Sequence, residues 1–160
     1  MVGRKLEKGK VIAVEPEPSN FEILKKNIVL NKLSNVVALN IAASDRNGMI
    51  TLYKIKGPHT DWHSIVKPGG NYEKVEVEAK RLSDVLSSLG IKQIDLLKID
   101  VEGAEPLVLR GLGSKLVDDK KIIYEVSDED HCEPILKCFG FEITHVFDLG
   151  DSKYKLAIRR

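Results

Sequence analysis

Three stretches of this sequence place acidic or small residues where the chain would leave a β-strand. Glu15 follows Val11-Ile12-Ala13-Val14 and precedes Pro16-Glu17-Pro18. A carboxylate at a strand tip can accept both hydroxyls of a ribose, and it can equally serve the N-terminus of the next helix. Ribose recognition alone fits an adenosylmethionine or a nicotinamide cofactor. Asn40-Ile41-Ala42-Ala43-Ser44-Asp45 puts small side chains after a strand, which leaves room for a flat ring or reflects tight packing at a strand exit. Lys98-Ile99-Asp100-Val101-Glu102-Gly103 carries three charges of one parity, so they should project together near a strand end. Burying three charges costs several kcal/mol per ion unless they pair or do chemistry. A structural ion cluster is the alternative reading. His63, within Thr60-Asp61-Trp62-His63-Ser64, is a further proton acceptor or an ordinary surface histidine.

Positioning these groups needs strands alternating with helices, the pattern of a parallel α/β sheet. Val11–Val14 reads as a continuous apolar strand buried on both faces. A helix should follow from a capping box, Ser19 with Glu22, turning Phe21, Leu24 and Ile28 inward and fading at Asn31. Val36–Ile41 is the second strand. Asp45-Arg46-Asn47-Gly48 is a turn into a β excursion over Met49–Ile55. Residues 57–71 are irregular, and Glu73–Ala79 alternates with period two, as an edge or half-exposed strand does. Leu82, Val85, Leu86 and Leu89 make a short helix closed by Gly90. Ile94–Ile99 should be the third buried strand, with Pro106 opening the next helix. Ile122–Val126 is a strand, and Pro134 opens a helix stopped by Gly140. Phe141–Phe147 and Lys153–Ile158 close as a hairpin around Gly150-Asp151.

Val-Ile-Ala-Val-Glu-Pro-Glu-Pro at 11–18, Asn-Ile-Ala-Ala-Ser-Asp at 40–45 and Lys-Ile-Asp-Val-Glu-Gly-Ala-Glu at 98–105 resemble successive motifs of the FkbM methyltransferase family. Arg81-Leu82-Ser83-Asp84-Val85-Leu86 precedes the third block in the same order. The resemblance implies an α/β, Rossmann-like class I methyltransferase sheet, mainly parallel with an antiparallel C-terminal hairpin, in one domain over residues 1–160. It implies S-adenosylmethionine as cofactor and methylation of a hydroxyl on a small molecule or sugar. Glu15, with Pro16 beside it, would hold the ribose, and Asn40, Ala42 and Ala43 would border adenine. Asp100 and Glu102 would face the methionine end and the acceptor, Asp100 being the first choice as proton acceptor and His63 the second.

The same resemblance predicts a departure. Such domains start with a strand and a loop of the form Asp-Val-Gly-Ala-Asn-x-Gly ahead of the Glu-Pro block. Ten residues precede Val11, and Val2-Gly3-Arg4-Lys5-Leu6 looks like the end of the helix after that loop. The domain is therefore expected to lack the first strand and part of the first helix. The strands ending at Glu15 and Asp100 should then either pair directly or have a second chain covering the gap, as a homo-oligomer would. A non-catalytic domain acting in binding or oligomerisation is the alternative function. A nicotinamide-dependent oxidoreductase lacks its G-x-G-x-x-G.

Composition fits this frame. The 160 residues carry 25 basic and 24 acidic side chains, with 42% apolar content. The balance of charge gives no reason to expect nucleic acid or an anionic membrane as partner. No apolar stretch reaches the ~18 residues of a membrane span, and the polar start is unlike a signal peptide. Cys132 and Cys138 suggest neither a disulfide nor, with His131, a metal site. A cytoplasmic setting and a site without metal are the expectations.

Overall fold

The computed structural model describes residues 9–55, 63–67, 69–118, 121–126, 129–150 and 152–159. The expected helix end at Val2–Leu6, the Thr60-Asp61-Trp62 segment and Asp151 lie outside them. Strand β1 (Val11–Val14) runs parallel to β2 (Val36–Leu39), with Val11 opposite Val36 and Val14 opposite Leu39. Helix α1 (Pro18–Leu30) joins them. The expected Ser19–Glu22 capping box is not its start. Pro18 has its φ fixed and no N–H to satisfy, so it occupies the first helical position. The residue before it becomes the cap, and the Glu17 carboxylate accepts the Asn20 amide at 2.7 Å. Phe21, Leu24 and Ile28 do form the inner face, but only half-buried.

The strand expected over Val36–Ile41 stops at Leu39. The chain turns at Asn40-Ile41 and enters a different sheet as β3 (Ala42–Ser44). Ala-Ala-Ser has little strand propensity of its own. Pairing creates this strand: β3 lies parallel to β6 (Tyr72–Arg81), Ala42 against Ala79. Strand β4 (Gly48–Ile55) pairs antiparallel with the other edge of β6, and β5 (His63–Ser64) pairs with β4. The order is β3-β6-β4-β5, so β6 is interior. Its alternation marks one wet face: Val77 and Ala79 are buried, Glu76 and Glu78 exposed.

A third sheet has the order β7-β8-β10-β9, from β7 (Leu97–Ile99), β8 (Lys121–Val126), β9 (Glu142–Asp148) and β10 (Lys153–Ile158). β7 and β8 are parallel; β10 is antiparallel to β8 and β9. The strand expected over Ile94–Ile99 is shorter because β7 has a neighbour on one side only, and Leu96 is exposed. Helices α2 (Leu82–Ser88), α3 (Glu105–Leu112) and α4 (Cys132–Cys138) cover this sheet. The core joins Leu82, Leu86, Val108, Leu109 and Leu136 with Ile99, Ile122, Tyr124 and Ala157. Helix α4 begins two residues before Pro134, because the Asp130 carboxylate accepts the Cys132 and Glu133 amides, each at 2.9 Å. Cys132 and Cys138 are both free.

The expected class, a Rossmann-like α/β fold with an antiparallel C-terminal hairpin, is present, with two corrections. Three of the described pairings are parallel and four antiparallel, so the architecture is mixed rather than mainly parallel; the β4–β6 excursion supplies two of the four. Nor do β1 and β7 pair with each other: they belong to separate sheets. Asn40 fastens β2 to the exit of β1, β8 holds β7, and Gly111 of α3 sits on the Ser44 carbonyl of β3. Residues of β1 and β7 line one cavity, and β1 is half-buried rather than fully buried. No helix among the described residues is long and apolar enough to cross a membrane.

Candidate active site

The cavity measures about 510 Å³ and lies at the carboxyl ends of β1 and β7. Ile12, Val14, Leu97 and Ile99 line its apolar walls. Glu15, Pro16, Ala42, Ala43, His63, Asp100 and Glu102 all face it, although Glu15 and Asp100 are separated by most of the chain. Strand ends gathering on one crevice is where doubly wound sheets take ligands.

At one end stands Glu15. Its Oε1 accepts the Glu17 amide at 2.8 Å, and no hydrogen bond among the described residues occupies Oε2. Burial pushes its carboxyl up, against the Glu17 amide and His63, which hold it down. Neighbouring Glu17 is buried and takes a salt bridge from Lys54 at 2.9 Å. Burial would raise Glu17, but Lys54 and the Asn20 amide outweigh it and leave it below the ordinary carboxylate range. Asn40 does not line the cavity. Its amide donates to the Glu15 and Pro16 carbonyls at 2.8 and 3.1 Å, so it fixes the backbone beneath Glu15 rather than bordering a ring. The short turn between β2 and β3 directs it there. Nδ1 of His63 is buried and has no partner among the described residues.

At the other end, oxygens of Asp100, Glu102 and Glu125 lie within 4.8 Å of one another. Asp100 is paired with Lys98 and accepts the Tyr154 hydroxyl at 3.0 Å. Burial works to raise Asp100, but Lys98 and Tyr154 hold it below the ordinary range. Burial first, then the charges of Glu125, Asp100 and Glu105, push Glu102 up to about 7. Glu125 is also raised, by burial and by Asp100. The Lys98 charge beside Asp100 and the raised proton affinities of Glu102 and Glu125 ease the repulsion among the three carboxylates.

The shared parity of Lys98, Asp100 and Glu102 is not what gathers them. β7 ends at Ile99, and Lys98 and Asp100 sit exposed at its rim. Glu102 reaches the cluster through a turn in which it adopts φ +54°. A side chain there costs roughly 1–2 kcal/mol, so the turn must be held. The buried Glu105 carboxylate accepts the Val101 and Gly103 amides at 2.9 and 3.4 Å, and the Ser64 hydroxyl donates to the Glu102 carbonyl at 2.7 Å. Sequence reasoning missed Glu125, Tyr154, Glu105 and Ser64. Glu125 alone left a readable signal, a charge one residue from the end of the apolar run Ile122-Ile123-Tyr124.

A mixed α/β sheet system with a carboxylate at the tip of its first strand, and an acidic turn entering a helix, is a Rossmann-like arrangement with a ligand-sized crevice at its strand ends. Comparison with known proteins narrows this. Residues 3–145 match the family described as the methyltransferase FkbM domain, and the chain belongs to that family. It is 32% identical to methyltransferase sdnD of Sordaria araneosa, over 88% of this chain and 68% of that protein. It is 29% identical to the 2-O-methyltransferase NoeI of Sinorhizobium fredii, over 77% of this chain and 56% of that protein. The crystal structure of methyltransferase FkbM from Methylobacillus flagellatus shares the fold, with a TM-score of 0.65 at 14% identity over 94% of this chain and 36% of that one. The chain thus spans about half to two-thirds of the length of these curated relatives.

Proposed function

We propose that this domain binds S-adenosylmethionine in the described cavity and methylates a hydroxyl of a small molecule or sugar. The observation that carries this is the convergence of Glu15, Ala42, Ala43, Asp100 and Glu102 on one cavity. Its size lies within the roughly 300–1,000 Å³ of small-molecule sites. The residues fit the cofactor: Glu15 keeps an oxygen for ribose hydroxyls, Pro16 stiffens the backbone behind it, and Ala42 and Ala43 leave space for a flat ring. The likeness to NoeI, named as a 2-O-methyltransferase, supports a hydroxyl as acceptor.

When bound, the cofactor supplies a methyl group on a positively charged sulfur. This chain contributes positioning and a proton acceptor. Asp100, held low by Lys98 and Tyr154, is a weak base and suits orienting the acceptor. Glu102, at about 7, is matched to neutral pH, and its carboxylate would take up the proton released by the acceptor hydroxyl. His63, whose Nδ1 has no partner among the described residues, would hold a hydroxyl or a bound water.

Titrating S-adenosylmethionine into isotope-labelled protein tests this. Amide shifts at Ala42, Ala43 and Glu15 are expected, weakened at least tenfold by Glu15→Ala. No shifts up to millimolar cofactor would overturn the assignment and leave a non-catalytic binding role.

A further inference from the structure

We propose that Ser64 is a positioning residue for Glu102, clamping the Glu102 peptide so that its carboxylate is held among Asp100 and Glu125. Ser64 belongs to β5, a strand of two residues fastened to β4 through Tyr53 and Lys54. Its side chain is buried, with the residue 5% exposed, and both hydrogen-bonding roles of the hydroxyl are used. It donates to the Glu102 carbonyl at 2.7 Å and accepts the Val66 amide at 3.0 Å. The first bond crosses 38 residues of sequence and ties the sheet that holds β5 to the turn that follows β7.

The residue it reaches is conformationally unusual. Among the described residues, two that are not glycine have positive φ, Lys32 and Glu102. Lys32 lies just beyond the end of α1. Glu102 has glycine on its C-terminal side, so the turn could relax by rotation about the Glu102 N–Cα bond, which swings its carbonyl and side chain together, if nothing held that carbonyl. Glu105 secures the amides flanking this residue; Ser64 alone among the described residues secures its carbonyl. Rotation would carry the carboxylate away from Glu125 and Asp100, the groups that raise its proton affinity. The inference therefore rests on Glu102 being the proton acceptor, and its test separates the two.

The experiment uses the 160-residue chain with carbon-13 in its glutamates. Two quantities are read at residue 102: the backbone φ, from the amide–α-proton coupling, and the carboxyl titration midpoint. In the parent chain φ should be positive and the midpoint near 7. Ser64→Ala should abolish the positive φ and lower the midpoint by a unit or more, a tenfold loss of proton affinity. Ser64→Thr, which keeps the hydroxyl, should restore both. Cofactor shifts at Ala42 and Ala43 should be unchanged in each. If Ser64→Ala does not fold, the near-isosteric Ser64→Cys replaces it, with a smaller change in the same direction. A positive φ and unchanged midpoint in the folded variant would overturn the role of Ser64. A parent midpoint in the ordinary carboxylate range would instead remove Glu102 as base, while the φ readout still decides the clamp.

Discussion

Gly111 of α3 and the Ser44 carbonyl of β3 are in backbone contact: a Cβ at residue 111 would stand 2.0 Å from that oxygen. Neither partner is a flexible side-chain end, so the helix and strand would have to separate. Gly111→Ala is expected to destabilise the fold by about 3 kcal/mol or more, at or beyond the usual cost of overpacking a core. Urea unfolding monitored by circular dichroism measures it. A neutral result would mean that α3 does not rest on β3 this closely.

Stability should fall as pH rises through the range set by Glu102. Its folded-state value of about 7 exceeds its unfolded value, so the native state holds the extra proton between about pH 4.5 and 7. That advantage is complete below the unfolded value and gone above 7, where the half-buried Glu102 charge opposes folding. Glu102→Gln should therefore raise stability at pH 8, by about 1–2 kcal/mol once solvent screening is discounted, and change little at pH 4. Thermal melts of both proteins across that range check the sign.

Asp130 joins three elements. It accepts the Tyr124 hydroxyl at 3.0 Å, pairs with Lys155 at 2.8 Å and caps α4. Burial works to raise it, yet Lys155 and the Glu133 amide hold it low. Its contribution is thus present above the unfolded value and lost as pH falls below about 4. Asp130→Ala strands a buried hydroxyl and removes a cap, at about 2–4 kcal/mol. Differential scanning calorimetry at pH 7 should show a loss of roughly 5–15 °C.

Asn40→Ala should weaken cofactor binding ~3–10-fold by loosening the backbone beneath Glu15, without any contact to the ligand. Calorimetry measures the loss, and an unchanged constant would contradict it.

Legibility followed how local each cause is. The apolar runs of β1, β8 and β10 and the punctuation by Gly90 and Gly140 were readable, since short-range pattern alone specifies them. Ser19 misled because the cap is chosen by Pro18, one residue earlier. β3 was invisible because Ala42 and Ala43 form a strand only against Ala79, far along the chain. Of the site, Glu15, Asp100 and Glu102 were legible as charges at strand ends. Glu125 showed only as a charge beside an apolar run, and Tyr154 and Ser64 were not legible, because each matters only through a partner distant in sequence. Asn40 was misplaced for the same reason: its amide turns back to β1.

The position of β10 has a consequence for biosynthesis. Although it follows every other described strand in the sequence, it lies between β8 and β9 and carries Tyr154 to Asp100. While residues 153–158 are still unsynthesised or inside the ribosome, the flank of β8 that β10 will cover is an open edge along Ile122, Ile123 and Tyr124. Such an edge invites pairing with other chains. A nascent chain of this protein therefore passes through a vulnerable interval until residues 153–158 emerge, and chains stalled near residue 150 would be natural clients for chaperones.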